Sequence, residues 1–308
     1  MLVSRVRNEE DLRRALDKLG EPPGGRIRVF RGQTRRYSGP VHDSILASLH
    51  RSSTIAITKE WVTLAQEAAF GCLPGGSQIE FEFERVWIPA LLQHYGPGSY
   101  YVDVTGSLDI ALWFALYRFQ TQASLERLYF KQQISNVIFN WAWYEKAALP
   151  RSSGPGPVVY VFDALTWPGF GEPAHGDLVA VRNLPQGRRL LHRATRLERQ
   201  DAFLLYAAPD SVFGPDLGHL PRAAFTLAKD FLVPERLRAM TTQDVFPPPG
   251  QDNCYSVLLA SGLTVKEQDD VYSHALALNC YISGFPPTRS QFEDFMVRFR
   301  TEEGLGTR

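Results

Sequence analysis

The chain has 308 residues, 33 lysines and arginines against 33 aspartates and glutamates, with 44% hydrophobic and 21% charged residues. That is enough apolar matter to bury a sizeable core, as one large domain or two small ones, and it excludes disorder as the main state. A formal net charge of zero and a pI near 7.1 argue against a protein whose whole surface grips nucleic acid or an acidic membrane by counterion release.

The opening MLVSRVRNEEDLRRALDKL is charged and amphipathic where a signal peptide needs an apolar run, and no stretch reaches about 18 apolar residues. The expectation is a chain neither exported by that route nor membrane-spanning. Asn8 followed by Glu9, Glu10 and Asp11 predicts a helix start, with acidic groups set against the positive end of the dipole and Leu12, Ala15, Leu16 and Leu19 as its apolar stripe. Pro22 to Gly25 end it, so residues 1–24 read as an N-terminal helix. Ile27-Arg28-Val29-Phe30 alternates like a strand and delivers Arg31-Gly32-Gln33 to its exit. From Thr58 to about Tyr95 the pattern is mostly helical. Tyr100 to Val104 reads as a strand, and Gly106-Ser107 opens a helix with Leu108, Ala111, Leu112, Ala115, Leu116 and Phe119 on its apolar face.

Val137 to Ala148 reads as a further, aromatic helix, followed by a loop over residues 151–157. Four apolar runs then follow as strand candidates: Val158 to Phe162, Leu178 to Val181, Ala202 to Tyr206 and Phe225 to Val233. Pro247-Pro248-Pro249-Gly250 breaks the chain, and helical periodicity returns through Val265 to Tyr281 and Ser290 to Phe299. The expected fold is α+β, a mixed, mostly antiparallel sheet with helical insertions and a helical C-terminal extension. The expected boundaries are 1–24, 25–246 and 247–308, the last packing on the same body or providing a self-association surface.

Cys72, Cys254 and Cys280 are odd in number, far apart and without metal-ligand spacing, so neither a disulfide framework nor a metal is expected and a reducing, cytoplasmic setting fits best. No GxGxxG follows a strand, and GxxxxGK[ST], HExxH and GxSxG are missing, so Rossmann, ATP-binding, metallohydrolase and serine-hydrolase readings lack a signature. What remains is a set of polar residues embedded in apolar segments. Arg31 offers a planar guanidinium suited to a diphosphate or carboxylate, or to an internal salt bridge. His94, in Gln93-His94-Tyr95-Gly96, sits at an expected helix end as a catalytic group or as a satisfied buried or capping histidine. Asp103 and Thr105, two apart on a strand, share a face ahead of the Ser107 helix N-terminus, where they face an anionic ligand or cap that helix. Glu198 and Gln200 repeat the spacing ahead of Ala202 to Tyr206, as a functional pair or a surface strand edge.

In order along the chain, Phe30-Arg31-Gly32 with Gln33, Ser48-Leu49-His50-Arg51, Gln93-His94-Tyr95-Gly96, Asp103-x-Thr105, Ala111-Leu112-x-Phe114-Ala115, Arg196 and Gln200-x-x-Phe203 resemble the motif series of the FRG domain family, named for its Phe-Arg-Gly. The resemblance spans roughly residues 25 to 246 and closes on the strand and helix of Phe225 to Leu237. It departs from the family at Pro97 to Val102, where a Leu-Pro-Thr-Arg-Leu-Leu run is usual, and at Gln200-Asp201-Ala202, where Gln-x-Gly is usual. A fainter resemblance is to ADP-ribosyltransferases, which present an Arg on an early strand, a Ser/Thr-bearing strand followed by a helix rich in Ala and Phe, and a Glu or Gln-Glu pair on a later strand.

The second resemblance implies NAD as substrate. Arg31 would hold its diphosphate or adjacent ribose, Thr105 would brace the nicotinamide ribose, and Tyr37 or Tyr95 would sandwich the nicotinamide, with Gln33, His94 and Asp103 lining the site. Glu198 or Gln200 would bind the ribose 2′-hydroxyl and support an oxocarbenium-like transition state. The leading expectation is transfer of ADP-ribose to a macromolecular acceptor, or hydrolysis of NAD, as in a toxin or defence effector. The alternatives are a non-enzymatic nucleotide- or protein-binding module, and a nucleic-acid-acting protein that uses Arg35, Arg36, Arg51, Arg188, Arg189, Arg193, Arg196 and Arg199.

Overall fold

The computed structural model describes residues 1–37, 39, 42–47, 93–94, 99, 101–130, 133–146, 156–169, 173–181, 195–208, 215–247, 251–252 and 275–277, those at 119–130, 133–146 and 275–277 by backbone alone. Asn8 starts a helix as its sequence implies: its side chain accepts from the Asp11 amide at 2.8 Å, and α1 runs Glu9–Asp17 with Leu12 buried. The segment before it is not helical. Leu2–Asn8 forms strand β1, in which Val6 is buried between the exposed Arg5 and Arg7.

The other strands are β2 (Ile27–Gln33), β3 (Tyr101–Thr105), β4 (Tyr117–Phe130), β5 (Gln133–Lys146), β6 (Val158–Ala164), β7 (Leu178–Val179), β8 (Ala202–Tyr206), β9 (Ala223–Leu232) and β10 (Ala275–Ala277). The helices after α1 are α2 (Leu108–Leu116), α3 (Thr195–Arg199), α4 (Glu235–Ala239) and α5 (Thr242–Val245). The described part of the protein is thus α+β with few helices. Seven strands form one sheet in the order β1-β9-β6-β2-β3-β8-β7, with β1 parallel to β9 and the other neighbours antiparallel. β1 is an edge strand of this sheet, so the first residues pair directly with β9. Strands β10, β5 and β4 form a separate antiparallel sheet.

Period-two alternation sorts the core onto two faces. Val29, Val102, Val104, Val158, Tyr160, Phe162, Phe203 and Leu205 pack on one, with Ile45 and Leu178. Phe30, Val159, Val161, Phe225 and Leu227 pack on the other, under α2 and with Leu12 of α1 and Leu237 of α4. Six residues of α2 are buried, including Trp113, which stacks on Tyr117 at 4.6 Å and meets Phe246 beyond α5. Arg236 ties α4 to α1 through Glu9 at 2.6 Å and to α2 through Asp109 at 2.7 Å.

The long sheet has a weak seam. β2 pairs with β6 over all seven residues from Ile27↔Ala164 to Gln33↔Val158, and β3 pairs with β8 over five. Between β2 and β3 the paired residues are Phe30 and Thr105 alone. From that bridge the strands part, with Arg31, Gly32 and Gln33 on one side and Val104, Asp103 and Val102 on the other.

Several expectations change. Residues 137–146 form a strand, not an aromatic helix, because Val137, Phe139, Trp141 and Trp143 recur with period two and are strong strand formers. Helix α2 stops at Leu116, so Phe119 lies on β4. Ala275–Ala277 is a strand inside the expected helix of Val265 to Tyr281, and it pairs with Asn140 to Ala142; the rest of that segment, Ser290 to Phe299, the three cysteines and most of Thr58 to Tyr95 lie outside the described residues. Strand β2 also runs on through Gln33, so Arg31 and Gln33 are residues of the strand rather than of its exit.

Candidate functional site

The seam between β2 and β3 is where the expected site residues gather. Arg31 and Gln33 alternate with Phe30 and Gly32, so their side chains leave β2 on the face of Val29 and Tyr160. Asp103 and Thr105 leave β3 on the opposite face, with Phe30 and α2, which places the expected residues on two sides of the sheet. Arg31 bridges them, donating from Nη1 to the Asp103 carbonyl at 2.6 Å across the gap that the missing ladder leaves. On the Arg31 face, the Tyr160 hydroxyl donates to Asp43, which also accepts from Arg36. Burial and then the neighbouring Asp43 carboxylate push the Tyr160 pKa above the phenol range, against the opposing charges of Arg36 and Arg31.

The Asp103 side forms a continuous polar network. Gln93 is its clamp: its Oε1 accepts from Ser99 N at 2.9 Å and Ser99 Oγ at 3.1 Å, which turns its amide nitrogen onto Asp103 Oδ2 at 2.6 Å. His94 follows, with Nδ1 at 3.2 Å from Gln200 Oε1 and at 3.7 Å from Asp103 Oδ1. Gln200 Nε2 donates to the Val245 carbonyl at 3.2 Å, which leaves Oε1 to face the imidazole, so Nδ1 carries the hydrogen. Burial holds the His94 pKa below the ordinary imidazole value, aided by Arg196 and opposed by Asp103 and the Gln200 hydrogen bond. The ring is neutral at pH 7, with its lone pair on Nε2.

Thr105 and Gln200 are built into the protein. Thr105 Oγ1 donates to the Gln200 carbonyl at 2.7 Å and accepts from Ser107 N at 2.9 Å, while Ser107 caps α2 through the Ile110 amide. Both Thr105 and Gln200 are 4% exposed. Glu198 and Gln200 are not a polar pair on one strand face. Glu198 lies on α3, where residues two apart point about 200° from each other, and it is exposed while Gln200, in the turn after the helix, is buried. Asp201 completes that turn with a left-handed φ of 41°.

Among the described residues, the buried acceptor atoms Gln33 Oε1, His94 Nε2 and Asp103 Oδ1 make no hydrogen bond. Unsatisfied buried acceptors are uncommon in native proteins and mark places where a ligand or water supplies a donor. Tyr37 is exposed, with Arg35 over its ring at 5.7 Å, and Tyr95 lies outside the described residues.

No protein-family model, curated protein or solved structure matches the chain. The fold gives two of the residues singled out in the sequence, Gly32 and Arg196, a packing role. A Cβ on Gly32 would collide with the Ala111 carbonyl oxygen and sit 2.7 Å from Ala115 N, so the glycine and the two small alanines are what let α2 lie against β2. Arg196 is 1% exposed, donates to the His94 carbonyl at 2.7 Å and lies 4.9 Å over the Phe246 ring.

Sequence reasoning missed the roles of Gln93, Ser99 and Asp252 as supports. Gln93 was adjacent to a flagged histidine, but Asp252, which accepts from the Arg196 amide at 2.8 Å, lies 56 residues away with no local signal. Of the arginines considered for nucleic acid, Arg36, Arg196 and Arg199 are engaged internally, Arg199 with Gln243 and Gln251. Among the described residues no group of three or more His, Cys, Asp or Glu is placed to hold a metal, and no described helix is long and apolar enough to cross a membrane.

Proposed function

We propose that the chain is an FRG-domain protein whose ADP-ribosyltransferase-like site takes NAD as substrate, breaks the bond between nicotinamide and ribose, and passes ADP-ribose to a macromolecular acceptor or to water. The observation that carries this reading is the parted seam between β2 and β3, bridged by Arg31 and bordered by buried polar atoms that lack partners. Arg31 supplies a fixed positive charge for the diphosphate. Gln33 Oε1 and His94 Nε2 are acceptors of the kind that ribose hydroxyls satisfy, and the exposed Tyr37 ring offers a stacking surface. In the reaction, nicotinamide leaves with the electrons of the glycosidic bond. The cation at the ribose C1′ takes an electron pair from the acceptor or from water, and that nucleophile gives up a proton to the solvent.

The test is nicotinamide release from NAD by the purified protein, alone and with cell extract, beside calorimetry of NAD binding. Release that Arg31→Ala abolishes is the expected result. Neither release nor binding in either condition would overturn the reading. A second reading, a module that binds a nucleotide or a protein without turnover, is favoured by the burial and internal pairing of Thr105 and Gln200. Binding of NAD without release, under both conditions, would select it.

A further inference from the structure

We infer that Asp103, rather than Glu198 or Gln200, is the catalytic carboxylate that stabilises the cation formed at the ribose, and that Gln93 is its positioning residue; this rests on the NAD reading above. A group that stabilises a developing cation has to be negative, held in place before the reaction, and open on the side from which the substrate comes. Gln200 is neutral, 4% exposed, and spends its side chain on His94 and the Val245 carbonyl. Glu198 is negative and open, but it is on the solvent side of α3 and its carboxylate makes no hydrogen bond to a described residue.

Asp103 is a carboxylate, held in place and partly exposed; its side chain leaves the sheet on the face opposite Arg31 and Gln33, so one substrate reaches both faces through the seam between β2 and β3. The Asp103 side chain is 39% exposed although Oδ1 is buried, so Oδ2 carries the exposed edge of the carboxylate. Gln93 Nε2 holds that oxygen at 2.6 Å, and Ser99 fixes the Gln93 amide from its other end, so the carboxylate is oriented by a chain of bonds that leaves one Oδ2 lone pair outward. Behind it, the neutral His94 ring closes off Oδ1 at 3.7 Å without adding a positive charge that would cancel the carboxylate. Arg31 holds the Asp103 main chain beside it at 2.6 Å. The diphosphate-binding arginine and the carboxylate are then registered to each other by one residue's backbone.

In the step proposed, the C1′–N bond breaks with its electrons going to nicotinamide, and Asp103 stays ionised and unbonded beside the cation until the acceptor attacks. The decisive comparison is nicotinamide release, NAD affinity by calorimetry and melting temperature for the unaltered chain, Asp103→Asn, Gln93→Ala and Glu198→Gln. Asp103→Asn is expected to slow release roughly a hundredfold while NAD affinity changes by no more than about threefold and the protein stays folded. Gln93→Ala should lower kcat and leave KM nearly unchanged, and Glu198→Gln should leave release within about twofold of the starting rate. If Asp103→Asn does not fold, Asp103→Ala is read by the same criteria. Release that survives loss of the Asp103 charge, or that disappears in Glu198→Gln, would overturn the assignment while leaving the NAD reading intact. Absence of release by the unaltered chain would overturn both.

Discussion

Gly32→Ala isolates the contact between α2 and β2. The added methyl meets the Ala111 carbonyl oxygen, the Ala115 amide nitrogen at 2.7 Å and the Ala111 carbonyl carbon at 2.8 Å. All three are backbone atoms, so no flexible side chain can swing away, and the helix has to shift as a body. Its six buried residues resist that shift. Overpacking of this kind costs about 3 kcal/mol at the upper end of its usual range. Replacing glycine also restricts the unfolded chain, which offsets the loss by up to about 1 kcal/mol. The steric effect wins, with a net loss of about 2 kcal/mol and a fall in melting temperature of roughly 4–8 °C for a domain of this size. Scanning calorimetry of the variant beside the parent measures it. A melting temperature equal to or above the parent's would refute the close-approach argument and with it the structural reason given for the glycine in the Phe-Arg-Gly motif.

Arg196→Met keeps most of the side-chain volume over Phe246 but leaves the buried His94 carbonyl without its donor; a loss of about 2 kcal/mol in urea unfolding is expected, and an unchanged midpoint would show that Arg196 does not support His94. Trp113→Ala empties a fully buried position stacked on Tyr117 and facing Phe246, which should lower stability by about 3–5 kcal/mol in the same assay; a loss below about 1 kcal/mol would contradict the packing described for α2 and α5. Burial depresses the pKa of His94, and of His175, where the adjacent His219 adds to it against Asp216. Both rings titrate near 6.5 in the unfolded chain, so there the unfolded state binds more protons and stability is full above that pH and drains as pH falls below it. Melting temperature should therefore drop between pH 7 and pH 5, less steeply in His175→Asn than in the parent; parallel profiles would exclude His175 as a contributor.

Local chemistry was legible where one segment carried its own signal. Asn8 and Ser107 are helix caps because their side-chain oxygens reach backbone amides three residues on, and Ala202–Tyr206 is a strand over the residues its apolar run marked. Misreadings arose where two periodicities compete. Val137 to Lys146 is rich in aromatic residues that fit a helix stripe or a strand face, and the choice between them is made by pairing with Tyr117 to Glu126. Likewise the charges of Leu2–Asn8 suit an amphipathic helix, until β9 supplies a parallel neighbour.

The candidate site divides in the same way. Sequence alone marked the polar residues that the candidate site contains, Arg31, Gln33, His94 and Asp103. It also determined that Gly32, Ala111 and Ala115 are small, without saying what approaches them. Tertiary structure decided the rest. The polar pair Glu198 and Gln200 separates because Glu198 is an exposed residue of α3 while Gln200 falls in the turn after it and is buried. Asp103 gains its orientation from Gln93 and Ser99, and its relation to Arg31 from strands that are neighbours in the sheet though 72 residues apart in the chain. Side-chain type is a local property, but burial, pairing and the gap between β2 and β3 are set by which segments meet, and that is settled by the whole core.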